Sequence, residues 1–327
     1  MSDTYFAHES YSAAQRYHLI RGAIFGHVIG DALGVPVEFV PRQRLQNHPV
    51  EEMAGGGSRG YPAGTWSDDS SMTLCALASL TQCNGFDGTD MMARFARWAQ
   101  DGYMAAAGRA FGIGRTTAAA ISRFLRGEHS SAYGGKSEKD NGNGSLMRIL
   151  PVVLFNFFCR AKESDAQRVE TVCQASQLTH AHLRSQTACG IYSFIAEELL
   201  RKQAKSSILL GIKKSSEFYQ DHEEYPNFSR LFSDEFSSLP IEEIKSGGYV
   251  ADTLEAAVWC LANSSTYRDC VLKAVNLGGD TDTIAAIAGG LAGILYGEAA
   301  LPETWLTQLA GREMIDDLCK KAAEAWG

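Results

Sequence analysis

The sequence lacks the paired cysteines from which zinc-binding and redox motifs are built. Its 327 residues include eight cysteines, and none of them forms a C-x-x-C pair. The cysteines are scattered, mostly through apolar stretches typical of helices, so we expect reduced and largely buried thiols. This absence argues against a zinc ribbon or a dithiol redox centre as the source of activity.

An excess of positive charge is missing as well. Thirty lysines and arginines stand against 38 acidic residues, so the formal net charge is −8 and the pI is about 5.5. Binding to a nucleic-acid backbone requires a basic face. We therefore expect no nucleic-acid partner and consider small molecules or proteins instead.

The chain also has few of the features of membrane or exported proteins. No run of eighteen apolar residues is free of charge, which argues against a membrane span. The opening residues show no basic start followed by an apolar core, so we expect neither a signal nor a transit peptide. The expected location is cytoplasmic.

Alternating strand patterns are almost absent, and most of the chain is predicted to be helical. The length allows one large domain or a core with an appended lobe. Residues 205–248 are polar and charged, and we expect this segment to be peripheral.

Two apolar helices are predicted to begin at clustered oxygen-bearing side chains. Every residue from 284 to 296 is apolar or glycine, tyrosine included, so a helix there has no polar face and must be buried. A second apolar helix is predicted over residues 71–80. The clusters at their starts are Asp280, Asp282 and Thr283 for the later helix, and Ser67, Asp68 and Asp69 for the earlier one.

Each cluster alone has an ordinary explanation, because Ser and Asp are common N-caps. Two clusters of the same composition favour a shared site over two separate caps. The combined set contains only oxygen donors, without Cys or His, which suits Mg²⁺ or Mn²⁺ better than zinc. We therefore predict that the two clusters converge on a metal site.

Glycines at four-residue spacing form a stripe on each of two predicted helices. The stripes are Gly22, Gly26, Gly30 and Gly34 in one helix and Gly289, Gly293 and Gly297 in the other. Each interior glycine weakens an isolated helix by about 1 kcal/mol relative to alanine. Close packing of one helix against the other would explain this cost, so we predict that the two helices are neighbours.

Three further segments carry candidate functional residues. Glu38 follows an apolar helix in GVPVEFV, where it is either a partly exposed acid on a turn or a functional carboxylate. The flexible backbone of Asn141–Ser145 at a helix start, with Arg148 nearby, is suited to receiving an anion. His180 and His182 are better explained as capping or substrate-contacting histidines than as metal ligands.

The sequence of residues 130–137 excludes a nucleotide-triphosphate site. Residues 134–137 read GGKS, but a phosphate-binding loop would need glycine where Ser130 stands, and no strand precedes it.

Five motifs together resemble the ADP-ribosylglycohydrolase family and follow its order over most of the chain. They are GDALGVPVEF at 30–39, WSDDS at 66–70, GNGSLMR at 142–148, TH at 179–180 and GGDTDT at 278–283. The resemblance implies an all-α fold, a compact orthogonal helical bundle forming a single domain over residues 1–327. It also implies two Mg²⁺ or Mn²⁺ ions as cofactors.

The resemblance assigns roles to individual residues. The metal ligands would be Ser67, Asp68, Asp69, Asp280, Asp282 and Thr283, in agreement with the oxygen-donor argument. Glu38 matches the family's acid beside the metals. The residues that would line the diphosphate and ribose path are Gly144, Ser145, Met147 and Arg148, and His180 would contact the substrate.

The expected function is hydrolysis of the C1″ glycosidic or ester bond of an ADP-ribosylated protein or small-molecule conjugate, which releases ADP-ribose. Glu38 or one of the ligand aspartates, Asp69 or Asp282, would accept a proton. Two alternatives stay open at this point. One is a non-catalytic ADP-ribose binder that keeps the fold. The other is a metal-dependent phosphoesterase, because two oxygen-bound metals also suit phosphoryl transfer.

Overall fold

The computed structural model describes residues 11–327, which form fourteen α-helices and eight short 3-10 helices. The α-helices are α1 (Ala13–Gly34), α2 (Arg42–Asn47), α3 (Asp68–Cys83), α4 (Gly88–Asp101), α5 (Arg115–Leu125), α6 (Leu150–Cys159), α7 (Asp165–Gln177), α8 (Leu183–Arg201), α9 (Ser206–Tyr219), α10 (Val250–Ala262), α11 (Tyr267–Val275), α12 (Thr281–Tyr296), α13 (Glu303–Gln308) and α14 (Arg312–Ala325). Residues 11–327 contain isolated bridges but no strand, and the all-α prediction is confirmed. The expectations that concern the first ten residues, namely the lack of a leader and a domain start at residue 1, lie outside the described part.

Helices α1 and α12 form the centre of the molecule and pack antiparallel, backbone against backbone. A Cβ added at Gly30 would lie 2.0 Å from the carbonyl oxygen of Ala285, and one at Gly293 would lie 2.0 Å from that of Gly22. No side chain fits in such a gap, so the glycines are required by the close approach of the two helices. The prediction that the glycine stripes meet is confirmed.

The sequence explains where α1 begins and ends. Ser12 and Gln15 form a capping box, in which each side chain accepts a hydrogen bond from the other residue's backbone N–H. At the other end Pro36 enters a short 3-10 turn, because proline has no N–H with which to continue an α-helix. Glu38 follows directly, and it therefore lies close to the start of α12.

By length and composition alone, the segment Ala13–Val37 could cross a membrane. However, 83% of its apolar window is buried inside the protein. Besides α12, the helices α3 and α14 pack on it. Its apolar composition is therefore accounted for by its central position.

The polar segment near residues 205–248 is more ordered than its composition suggests. It contains α9, which packs along α8, and three 3-10 helices. Ile208 and Ile212 lie one helical turn apart and are both buried, whereas the neighbouring Leu209 and Leu210 are exposed. Serines and lysines on either side of these positions (Ser206, Ser207, Lys213 and Lys214) conceal the helical pattern in the sequence.

The stretch 144–159 is predicted as one helix interrupted by Pro151, and the structure differs. A 3-10 turn over Leu146–Arg148 precedes α6, and Pro151 lies in the first turn of α6. A proline there removes no intrahelical hydrogen bond. It therefore belongs to the start of a helix rather than to a break within one.

Candidate active site

Five carboxylates meet where the end of α1 faces the starts of α3 and α12. Asp31, Asp69 and Asp282 each place an oxygen so that all three lie within 4.8 Å of one another. Glu38, Asp280 and Asp282 form a second group that meets the same limit. Asp282 belongs to both, so the two groups are adjacent. Acids from three distant parts of the sequence are thus brought together.

The start of α3 is fixed by Asp31. Its carboxylate accepts hydrogen bonds from the backbone N–H groups of Ser67 and Ser70 and from the Ser70 hydroxyl. Ser67 caps α3 through the N–H of Asp69 and donates its own hydroxyl proton to Asp69 Oδ2 at 2.9 Å. Within residues 11–327, Asp69 Oδ1 is buried without any hydrogen-bond partner. Asp31 therefore serves the backbone, whereas Asp69 has an oxygen available for a ligand.

The start of α12 differs from an ordinary cap. Asp280 occupies the N-cap position but its side chain accepts no capping hydrogen bond. Among the described residues, 11–327, the Asp282 carboxylate accepts a hydrogen bond only from the adjacent N–H of Thr283. Capping therefore does not account for these two acids, whereas it does account for Ser67.

Burial and mutual repulsion make the acids hard to ionise together. Burial, followed by the charge of neighbouring carboxylates, raises the pKa values of Asp68, Asp69 and Asp282 well above the ordinary value for Asp. Burial also raises the pKa of Asp31 to about 6, although hydrogen bonds from Ser67 and Ser70 oppose the shift. A buried carboxylate cluster with an unpartnered oxygen fits divalent cations that accept hard oxygen ligands.

A glycine-containing segment, Asn141–Ser145, connects the acids to His180. The Asn143 amide donates to Asp280 Oδ2 at 2.7 Å and to the Thr253 hydroxyl at 3.1 Å. At Gly144 an added Cβ would lie 2.8 Å from Cε1 of His180. The segment therefore contacts the acid cluster through the Asn143 side chain, and its backbone at Gly144 passes close to the imidazole.

The other residues expected along the substrate path, at the end of this segment and just after it, point away from solvent. Ser145, Met147 and Arg148 are all buried, with exposures of 0%, 3% and 1%. The Arg148 guanidinium donates to the Ala175 carbonyl and the Thr179 hydroxyl, so it points into the interior behind His180.

Glu38 stands at the edge of the acid cluster and is half-buried. Arg59 donates to its Oε2 from Nε at 3.1 Å and from Nη2 at 2.8 Å. The guanidinium also lies over the Phe111 ring, with Cζ 5.4 Å from the ring centre. His182 caps α8 through the N–H of Arg184, as a capping histidine would.

Sequence reasoning gave no role to several residues that complete this arrangement. Asp31 could have been recognised, because an acid within the apolar stretch of α1 is costly unless it is partnered. Asn143 lies within the GNGSLMR motif, but nothing in that motif indicates Asp280 as its partner. Thr253 and Arg59 carried no signal, because their partners are distant in sequence and the local pattern is that of ordinary helix or loop residues.

Comparisons with known proteins agree over nearly the whole chain. A family model described as ADP-ribosylglycohydrolase matches residues 12–327. ADP-ribosylarginine hydrolase Tri1 from Serratia proteamaculans (strain 568) is 34% identical over 303 residues, which cover 92% of this chain and 78% of that protein. ADP-ribosyl-[dinitrogen reductase] glycohydrolase from Rhodospirillum rubrum is 28% identical over 291 residues, covering 88% and 89%.

A solved structure described as an ADP-ribosylglycohydrolase-related protein complex has the same fold. It superposes with a TM-score of 0.78 at 31% sequence identity and covers 96% of this chain and 100% of its own.

Proposed function

The chain belongs to the ADP-ribosylglycohydrolase family, and from this premise we propose that it is a metal-dependent hydrolase that releases ADP-ribose from ADP-ribosylated arginine. The proposal has three parts, which are cleavage at C1″ of ADP-ribose, the use of two Mg²⁺ or Mn²⁺ ions, and arginine as the acceptor. The observation that carries it is the pair of adjacent carboxylate groups that share Asp282.

The residues present fit such ions. The proposed ligands are Ser67, Asp68, Asp69, Asp280, Asp282 and Thr283. All of them offer oxygen, and within residues 11–327 Asp69 has a buried oxygen without a partner. Burial, and after it the repulsion between neighbouring carboxylates, raises the pKa values of Asp68, Asp69 and Asp282, and a cation would offset both effects. Divalent cations at this position would supply stabilisation of developing charge and activation of water.

The chain's own residues contribute orientation and proton transfer. Asn143 holds the carboxylate of Asp280, and the Asn141–Ser145 segment extends from there to His180. Within residues 11–327, Oε1 of Glu38 takes part in no hydrogen bond, because both bonds from Arg59 go to Oε2. We assign the acceptance of a proton during cleavage to that oxygen. The transition state would have oxocarbenium character, as in other cleavages at a sugar anomeric carbon.

Arginine as the acceptor is supported by the residues at the edge of the site. Glu38 and the Phe111 face already bind the guanidinium group of Arg59. An acceptor arginine that displaces Arg59 would find the same carboxylate and aromatic partners there. The similarity to a protein named ADP-ribosylarginine hydrolase points in the same direction.

The test offers arginine-, serine- and O-acetyl-linked ADP-ribose in parallel, with Mg²⁺, with Mn²⁺ and with EDTA, and identifies the products. We expect free ADP-ribose, fastest from the arginine conjugate, and no release in EDTA. Asp282→Asn should lose nearly all turnover. The matched control Asp317→Asn makes the same change in an exposed pair with Lys321 and should remain active.

Every other outcome contradicts one part of the proposal. Full activity in EDTA would contradict the metal site. Faster release from serine or O-acetyl conjugates would contradict the arginine acceptor. AMP and ribose phosphate as products would indicate a phosphoesterase, and binding without release from any conjugate would indicate a non-catalytic ADP-ribose binder.

A further inference from the structure

His180 is held rigidly at the inner wall of the site. Its backbone N–H donates to the Ser176 carbonyl at 2.8 Å, and its carbonyl accepts from the Ser176 hydroxyl at 3.0 Å. Gly135 bonds to the residues on either side of it. Within the described part of the chain the ring itself makes one hydrogen bond, between Nδ1 and the Thr179 hydroxyl at 2.9 Å. The edge that carries Cε1 and Nε2 faces Gly144.

The partners of Thr179 determine which ring nitrogen carries the proton. Nη2 of Arg148 donates to the Thr179 hydroxyl oxygen at 2.8 Å, and a guanidinium can only donate. The hydroxyl must therefore direct its own proton elsewhere. In residues 11–327, Nδ1 of His180 is the remaining hydrogen-bond partner of this hydroxyl.

The two tautomers of His180 differ in how they satisfy Thr179. If Nδ1 were protonated, the buried hydroxyl would accept two hydrogen bonds and its own proton would have no acceptor, which is costly. If Nδ1 is unprotonated, it accepts the hydroxyl proton, and both the Thr179 hydroxyl and Nδ1 are satisfied. The proton of a neutral ring then resides on Nε2, on the edge that faces the Asn141–Ser145 segment.

Arg148 also acts through its charge. It is 1% exposed, its guanidinium lies over the Phe95 ring at 4.7 Å, and across residues 11–327 neither its Nε nor its Nη1 has a hydrogen-bond partner. Burial, and after it the charge of Arg148, lowers the pKa of His180 to about 3, while the carboxylate of Asp140 opposes the shift. The ring is therefore neutral at physiological pH.

We propose that Arg148 and Thr179 are positioning residues that fix His180 as a neutral imidazole protonated on Nε2, so that it donates a hydrogen bond to an oxygen of the bound ligand. Arg148 thus acts on the ligand indirectly, through the side chains of Thr179 and His180. The inference rests on the proposed function only for the identity of that ligand, ADP-ribose.

The tautomer can be measured without a ligand and without turnover. Protein labelled with ¹⁵N at histidine is examined by long-range ¹H–¹⁵N correlation, which distinguishes a protonated from an unprotonated ring nitrogen. The spectrum of His180→Gln identifies the signals of His180 by their loss. We expect a single neutral tautomer with the proton on Nε2.

Thr179→Val tests the role of Thr179, because valine has a similar shape but can neither accept from Arg148 nor donate to Nδ1. We expect mixed tautomers in this variant and about fivefold weaker binding of ADP-ribose, measured calorimetrically with Mg²⁺ present. Thr179→Ser keeps the hydroxyl and should restore both the tautomer and the affinity.

Several results would overturn the inference. A proton on Nδ1 in the parent protein is sufficient, and this measurement depends on no variant of Thr179 or Arg148. An unchanged tautomer or an unchanged affinity in folded Thr179→Val would do the same. If the parent does not bind ADP-ribose at all, the proposed function fails, while the tautomer measurement still decides whether Arg148 and Thr179 control the ring.

Discussion

Adding a single methyl group to α12 should distinguish two effects on stability, that of the close backbone contact with α1 and that of helix propensity. Gly289 and Gly290 are adjacent in α12, and replacing either with alanine increases helix propensity by about 1 kcal/mol. A Cβ at Gly289 would lie 2.3 Å from the Gly26 carbonyl oxygen, which belongs to a rigid helix backbone. A Cβ at Gly290 would lie 2.9 Å from Cδ2 of Leu150, the end of a flexible side chain.

The expected magnitudes follow from these distances. Gly289→Ala must move the helices apart by about 1 Å, and a gap of that size forfeits up to half of each affected dispersion contact. Overpacking of this kind costs roughly 1–3 kcal/mol, and we expect the upper part of the range because both partners are backbone. After the gain in propensity, Gly289→Ala should be destabilised by about 2 kcal/mol. The free energy of unfolding of Gly290→Ala should differ from that of the parent by less than about 1 kcal/mol, in either direction.

Calorimetric melting of the two variants and the parent in EDTA provides the assay. An unfolding entropy of about 2.1 cal/mol/K per residue makes 1 kcal/mol equivalent to a shift of about 1.5 °C for a chain of 327 residues. Gly289→Ala should therefore melt about 3 °C below the parent, with Gly290→Ala close to it. Equal melting temperatures for the two variants would refute the close backbone contact.

The remaining predictions concern the acid cluster. Glu38→Gln should lower kcat by a factor of about 10² to 10⁴ while the melting temperature still rises with Mg²⁺; a near-normal rate would make Glu38 a structural acid. Asp282→Asn should melt no lower than the parent in EDTA but gain much less from added metal, because one repelling charge and one ligand are removed together; a much lower melting temperature with an intact metal response would make Asp282 structural. In the folded protein the pKa of Asp31 is about 6, and the pKa values of the other buried aspartates are also raised above those in the unfolded chain. The contribution of these aspartates to folding stability is therefore present at low pH and lost as pH rises. Urea unfolding in EDTA should therefore show lower stability at pH 8 than at pH 5, with Mg²⁺ restoring more at pH 8, and the opposite order would contradict this electrostatic account.

Much of the central architecture could be predicted from the sequence because it depends on local patterns. The glycine stripes have a fixed spacing, and the two acid clusters stand at recognisable helix starts. Both patterns can be recognised without knowledge of the fold. The contact between the stripes follows because glycine within a helix is costly unless something packs closely against it.

Other features depend on contacts between distant residues, and the local sequence could not supply them. Arg148 follows a glycine-rich segment, which suggested a direct anion contact, but the 3-10 turn at Leu146–Arg148 directs its side chain inward. The bond between Asn143 and Asp280 joins residues 137 positions apart. Nothing around either residue indicates the other.

The pairing of α1 with α12 has a consequence for how the chain is made. About 250 residues separate the end of α1 from the start of α12. At a synthesis rate of about 5–20 residues per second, α1 therefore waits about 10–50 s for its main partner. During that interval the glycine-lined face of α1, which packs on α12 in the folded protein, is not covered by its partner. Chaperones that bind exposed apolar segments should consequently associate with nascent chains until residue 296 has emerged, and the acid cluster cannot assemble earlier.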